Sequence, residues 1–378
     1  MMKKIMIMAG EASGDNHGAE VVQALKERHK DFFFYGMAGP AMRKAGVEPL
    51  IKTEDMAIMG FVEVIANLSA VLKSYRIIKK TFEKSPPDLI ILIDYPGFNL
   101  KIAELAKKFG IKVLYYVSPQ IWAWKQKRIE KIKKYVDHMA VIFPFEVKFY
   151  KKFNVPVTYV GSPQMETVHC HLSCEEAKKT LGLAIDKKTL VLLPGSRKLE
   201  IKRLLPVMLN VANKLLDLSP EMQFVLPVAS TLNLVEIKNR VEASGVKQIK
   251  VIEGQSYTAI RAADVALCTS GTVTLETALL GTPLVIIYKM HWLSYKIIKR
   301  LIKINMIGLC NIVAEKKVAP ELIQHEASVK NIVTQIHALL DHEETRQAQL
   351  EAFSHLREKL GTKKASEQVA KLARSLIS

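Results

Sequence analysis

An aspartate closes an aliphatic run in this chain. Ile90-Ile91-Leu92-Ile93-Asp94 leads into Tyr95-Pro96-Gly97-Phe98-Asn99. A run this short and this aliphatic fits a strand buried on both faces of a parallel sheet. In open α/β sheets, ligands bind outside the carboxyl ends of such strands. A carboxylate there can take a proton from an alcohol attacking a sugar carbon, provided it lies within hydrogen-bond reach. The same residues also suit an ordinary turn, with Asp ahead of Pro-Gly.

Two later stretches have anion-binding character: Gly195-Ser196-Arg197 and Ser270-Gly271-Thr272. Each follows an aliphatic run and opens a helical pattern. Glycine lets backbone N–H groups approach an anion at a helix start. Arg197 adds a fork that matches phosphate oxygens. Glu276, a little further along, could accept hydrogen bonds from both ribose hydroxyls of a nucleotide. Taken singly, Arg197 reads as a surface ion pair and Glu276 as compensation of a helix dipole. Together, in one half of the chain, the two loops favour a nucleotide diphosphate site. G-x-G-x-x-G and G-x-x-x-x-G-K-[ST] are both missing, which disfavours a nicotinamide dehydrogenase or a P-loop NTPase.

The first loop has the opposite chemistry. Gly10-Glu11-Ala12-Ser13-Gly14-Asp15 carries acids where a phosphate cradle wants none, so a polyol or sugar fits it better. The work divides accordingly. The C-terminal half takes a nucleotide donor, and the N-terminal half takes an acceptor hydroxyl and supplies the base. Direct attack inverts the anomeric configuration. Arg197 and helix N-termini stabilise the departing diphosphate, with no metal obligatory.

The elements that must position these residues alternate strand and helix. One βαβ series runs from Lys4–Ala9 to His138–Phe143, and a second restarts at Thr189–Leu193, which implies mostly parallel sheets. The chain has 378 residues, so two domains are expected. The junction falls in about 154–188, giving a first domain over 1–165 and a second over 166–349. Two doubly wound Rossmann-type halves facing across a cleft are the expected architecture. The segment from Glu343 to the end is helical and charged.

The formal net charge of +18 asks for an anionic partner: nucleic acid, a phospholipid surface or a phosphorylated substrate. No stretch approaches the 18 or more apolar residues of a membrane span. Around Trp292, an amphipathic basic stretch interleaves Leu293, Ile297, Ile298 and Leu301 with Lys296, Lys299 and Arg300. It suits a helix lying in a lipid interface, or a packed helix with a solvated basic face. Trp122-Ala123-Trp124 precedes a second basic tract, where aromatics beside cations suit interfacial anchoring, nucleic-acid stacking or a half-buried helix start. His169, Cys170, His171 and Cys174 lie close together, but no second cluster completes a zinc set, so no metal is expected.

These residues resemble the lipid-A-disaccharide synthase family of glycosyltransferases. The likeness runs through Gly10–Asp15, Gly36–Pro40, Ile58–Val64, Ile93–Asn99, Tyr116–Trp124, Leu193–Arg197 and Ser270–Glu276. The resemblance implies a GT-B fold whose C-terminal helix, about 350–378, crosses back to the first domain. It implies transfer of a diacylated glucosamine from UDP to a diacylated glucosamine 1-phosphate, with neither a cofactor nor nucleic acid. The product would be a β-1,6-linked disaccharide 1-phosphate. It implies action at the cytoplasmic face of an anionic inner membrane, and it admits a homodimer. By position, Asp94 matches the family's base, and Arg197 and Glu276 match its UDP-contacting residues. Asn311 falls in a further donor-side segment, while Glu11, Ser13, Gly14, Asp15 and Asn99 fall on the acceptor side. The chain departs from the family at Gly161-Ser162-Pro163-Gln164, where Gly-His-Pro-Leu is usual, and at Gln120, where Ser is common. Ser162 cannot do what an imidazole does.

Overall fold

Leu89–Ile93 is a strand with all five side chains buried, as an aliphatic run without polar alternation requires. It forms the centre of the first of two parallel sheets. The computed structural model describes residues 2–28, 31–57, 68–124, 126–292, 295–296 and 305–377. These make two compact units, 1–163 with 362–378, and 164–361.

Among the described residues, the N-terminal unit holds seven strands: β1 (Lys3–Ala9), β2 (Phe32–Ala38), β3 (Glu48–Lys52), β4 (Leu89–Ile93), β5 (Lys112–Tyr116), β6 (His138–Val141) and β7 (Val157–Tyr159). Their order is β3-β2-β1-β4-β5-β6-β7. The order reverses between β1 and β4, where Ala9 pairs with Ile93. Gly10 and Asp94 therefore leave the sheet side by side at its switch point, where doubly wound sheets open a crevice.

The C-terminal unit repeats the plan with β8 (Thr189–Leu193), β9 (Gln223–Val228), β10 (Ile249–Glu253), β11 (Val265–Thr269), β12 (Leu284–Tyr288) and β13 (Glu321–Ile323). The order is β10-β9-β8-β11-β12-β13. Its switch point lies between β8 and β11, where Leu193 pairs with Cys268. The loops after these two strands are the two anion-binding stretches. Three short edge strands, β3, β7 and β13, lie outside the expected series. Each is partly exposed, so none carries the aliphatic run that marks a central strand.

The return to the first unit begins later than residue 350. Helix Glu343–Leu360 stays with the C-terminal unit, where Phe353, Leu356 and Leu360 are buried. Its Gln349 donates to Leu284 C=O at 3.3 Å and accepts from Leu284 N–H at 2.6 Å. Gly361, at φ 62°, ends the helix, as glycine commonly does. Helix Ala365–Ile377 then packs on helix Ala12–Arg28 and on β4 and β5, burying Ala365, Val369, Ala370 and Ala373.

Val369 is fully buried. V369D should lower the stability of the N-terminal unit by on the order of 3 kcal/mol, because it buries an unpaired charge. Urea unfolding followed by circular dichroism checks this. An unchanged midpoint would show that the returning helix contributes nothing.

Candidate active site

The chain turns sharply where β4 ends. Asp94 and Tyr95 both adopt left-handed conformations, with φ 44° and 46°. Non-glycine residues pay for that geometry, and here hydrogen bonds hold it. Asp94 N–H donates to Tyr116 C=O at 3.0 Å. Asp94 C=O accepts from the Tyr115 hydroxyl at 2.6 Å and from Asn99 Nδ2 at 2.8 Å. Asn99 Nδ2 also reaches Ile93 C=O at 3.1 Å. Both backbone groups of Asp94 are thus tied to the sheet and the following helix, Pro96–Lys108, which fixes where its side chain leaves the backbone.

That carboxylate has an altered proton affinity. Burial pushes its pKa up to about 6, and the charge of Glu11 adds to the rise. The Tyr95 N–H and His17 pull the other way. The group is therefore a stronger base than an ordinary aspartate, yet still ionised at neutral pH.

The remaining acceptor-side residues separate into two groups. Glu11 and Ser13 are exposed on the loop after β1. Gly14, Asp15 and Asn99 face the protein instead, contrary to expectation. A Cβ on Gly14 would meet the Ala9 side chain at 3.2 Å, so this glycine serves packing. Asp15 is buried and caps helix Pro40–Lys44. Its carboxylate accepts from Gly39, Ala41 and Met42 N–H at 2.7, 2.8 and 3.2 Å, which satisfies the orphan donors of that helix start. Asn99 spends its amide on the turn that carries Asp94.

In the C-terminal unit, seven expected donor-side residues come together. Gly195, Ser196, Arg197, Ser270, Gly271, Thr272 and Glu276 line one cavity of about 370 Å³. The Ser270 hydroxyl donates to Ile307 C=O at 2.7 Å, and Thr274 ties back to Gly271 C=O at 2.8 Å, so the second loop is held from both sides. Burial raises the pKa of Glu276, while the Tyr257 hydroxyl, 3.5 Å from Oε1, works against the rise. Loop N–H groups, a guanidinium and an acid in one concavity can hold a nucleotide through its phosphates and its sugar.

Asn311 does not join them. Its Nδ2 donates to Ala319 C=O and Glu321 Oε1 at 2.9 and 2.8 Å, and its Oδ1 accepts from Val318 and Ala319 N–H at 2.8 and 2.9 Å. A fully buried amide with every arm occupied is a structural clamp. Conversely, the sequence pattern does not single out Ser256 or Tyr257 as candidates. With Glu276 they line an adjoining hollow of about 560 Å³, and Ser256 borders both spaces. The signal was available, since Gln255-Ser256 follows β10 at the same carboxyl edge of the sheet.

Other expectations fall differently. Trp122 is buried and its Nε1 donates to Glu146 at 3.2 Å. Burial pushes the Glu146 pKa up to about 8. This tryptophan is thus part of the core, whereas Trp124 is exposed. Among the described residues, no three His, Cys, Asp or Glu side chains converge on a metal-sized site. Ser162 is buried. Trp292 is 61% exposed, and Lys296 Nζ lies 5.2 Å from its ring centroid. Leu293, Ile297, Ile298, Lys299, Arg300 and Leu301 lie outside the described residues, as does the Ile58–Val64 motif. Among the described residues, no helix is long and apolar enough to cross a membrane.

Residues 5–375 match a family model described as lipid-A-disaccharide synthetase. A lipid-A-disaccharide synthase of Trichlorobacter lovleyi is 48% identical over 375 residues, covering 99% of this chain and 98% of that protein. One from Coxiella burnetii is 44% identical, covering 99% of each. Among solved structures, the Neisseria meningitidis UDP-GlcNAc 2-epimerase bound to UDP-GlcNAc aligns with a TM-score of 0.67 at 12% identity, covering 99% of this chain and 100% of that one. Acinetobacter baumannii MurG aligns at 0.57 with 14% identity, covering 99% of each. These two likenesses concern the fold, which is that of GT-B glycosyltransferases and related epimerases.

The cap made by Asp15 carries its own test. D15A should cost roughly 2 kcal/mol of stability, because three N–H groups lose a charged acceptor. Thermal melts compare the two proteins. Loss of activity without loss of stability would return Asp15 to the acceptor site.

Proposed function

The chain belongs to the lipid-A-disaccharide synthetase family, and we propose that Asp94 is the base of its inverting sugar transfer. The enzyme joins UDP-2,3-diacylglucosamine to 2,3-diacylglucosamine 1-phosphate. It yields the β-1,6-linked disaccharide 1-phosphate and UDP.

The observation that carries this reading is the placement of Asp94. It is an acid fixed by its backbone at a sheet switch point, with a pKa raised to about 6. Its carboxylate takes the proton of the acceptor's 6-hydroxyl as that oxygen attacks C1 of the donor sugar. The new C–O bond forms opposite the breaking bond to the diphosphate, which inverts C1. Arg197 and the N–H groups of Ser196 and Arg197 stabilise the charge that gathers on UDP. Glu276 accepts from the ribose hydroxyls. Proton removal belongs to one unit and donor holding to the other, so each can be perturbed alone.

D94N should lower kcat by about 10²- to 10⁴-fold while UDP affinity stays within twofold. The assay incubates protein with both acylated sugars and follows the disaccharide by mass spectrometry. Full activity in the variant would remove the base assignment. Conversion of UDP-N-acetylglucosamine alone, with no disaccharide, would replace the transferase with an epimerase. In the wild type, the base works as the carboxylate, so kcat/KM should fall about tenfold per unit below pH 6.

The stability consequence has the opposite direction. A native pKa of about 6 lies above the ordinary value of 3.8. Between those values the native state binds more protons than the unfolded one, so stability drops as pH rises. D94N should therefore raise the melting temperature relative to wild type at pH 8 and lose that advantage at pH 4.

Acyl chains on both substrates call for work at a lipid surface, and the enzyme acts as a peripheral protein on the anionic cytoplasmic face of the inner membrane. The exposed Trp292, with Lys296 beside it, supports this. W292A combined with K296E should reduce partitioning onto anionic vesicles several-fold in a sedimentation assay. Unchanged partitioning would place the contact elsewhere.

A further inference from the structure

We propose that Glu200 is an internal competitor for the donor's diphosphate and sets how tightly the C-terminal unit holds UDP. This rests on the donor reading above and adds a residue to it.

Glu200 lies in the first turn of helix Lys198–Leu218. Its Oε2 accepts from Ser196 N–H at 3.2 Å and from Arg197 N–H at 3.3 Å. Its Oε1 lies 3.6 Å from Arg197 Nη1. These two N–H groups and this guanidinium are the ones that phosphate oxygens would use. A Cβ on Gly195 would run into the Glu200 carboxylate, so the absent side chain at 195 is what lets the acid fold back into the loop. Glu200 lines the 370 Å³ cavity, and its side chain is only 18% exposed. The Arg197 side chain, by contrast, is 83% exposed and open to a ligand.

The carboxylate thus stands where an anion belongs. As a helix cap it satisfies two donors at the N-terminus. The same contact makes it a stand-in for phosphate. Two N–H groups cannot serve the carboxylate and a diphosphate at once, and like charges at hydrogen-bond spacing repel strongly. Donor binding therefore requires Glu200 to leave the loop. After transfer, its return displaces UDP, so one side chain both keeps the empty loop in shape and opposes product retention.

The test is calorimetric titration of the full chain with UDP, UMP and uridine, for wild type, E200Q and R197A. Glutamine keeps an acceptor for the loop N–H groups and removes the charge. E200Q should bind UDP about three- to tenfold tighter, UMP by a smaller factor, and uridine with unchanged affinity. Equal or weaker UDP binding would overturn the proposal. So would a uniform change across all three ligands, which would mean that the loop itself had deformed. R197A separates the two claims. If it binds UDP as wild type does, the donor reading fails, whatever E200Q shows.

Discussion

The Tyr115 hydroxyl and the Asn99 amide both point at one carbonyl, that of Asp94. The placement of Asp94 at the end of β4 depends on that capture. A strand that leaves a parallel sheet must turn at once, and two consecutive left-handed residues make the turn here. Each costs on the order of a kcal/mol or more. The hydrogen bonds from the neighbouring strand and from the following helix offset that cost. Asn99 is buried without exposure, so its amide has no water to compete for it. The backbone then fixes the point from which the side chain departs, and the Tyr95 N–H hydrogen-bonds the carboxylate itself.

The two units use one architecture with opposite electrostatics. At each switch point the chain leaves two neighbouring strands and exposes the loops that follow. In the N-terminal unit the loop after β1 brings Glu11, whose charge raises the proton affinity of Asp94. In the C-terminal unit the loop after β8 brings Gly195 and two N–H groups that draw an anion, already satisfied by Glu200. A sugar hydroxyl suits the first and a diphosphate suits the second. The sheet supplies the placement, and the few residues beyond each strand decide the chemistry.

The positions of Asp94 and of the loops at Gly195 and Ser270 at strand ends are legible because each follows a fully buried aliphatic run, a signal that survives in one dimension. The central strands were legible for the same reason. The structural contacts of Asp15 and Asn311 are hidden in the sequence because their partners are remote or backbone. The partners of Asp15 are N–H groups 24 to 27 positions along the chain, and a capping aspartate and a ligand-facing aspartate look alike in sequence. Asn311 sits in a segment that the resemblance marked as functional, but its amide is consumed by the turn at Val318–Ala319 and by Glu321. Residues 350–360 stay with the C-terminal unit instead of crossing back, because the apolar face of helix Glu343–Leu360 does not say in sequence which sheet it covers. The bond from Gln349 to Leu284 settles that, and it spans 65 positions.

A chain with net charge +18 would be expected to hold its acids ionised, and yet Asp94 is shifted toward the protonated form. Distance resolves the conflict. At physiological salt, exposed charges are screened over about 8 Å, so most of the surplus lysines and arginines act on Asp94 weakly. What remains is local: burial first, then Glu11, opposed by the Tyr95 N–H and His17. The basic surplus acts at longer range and on other bodies, as a field that draws anionic partners toward the protein. Net charge thus governs arrival, while the handful of atoms at the end of β4 govern the proton. The two are set independently, because the solvent between them carries little of one to the other.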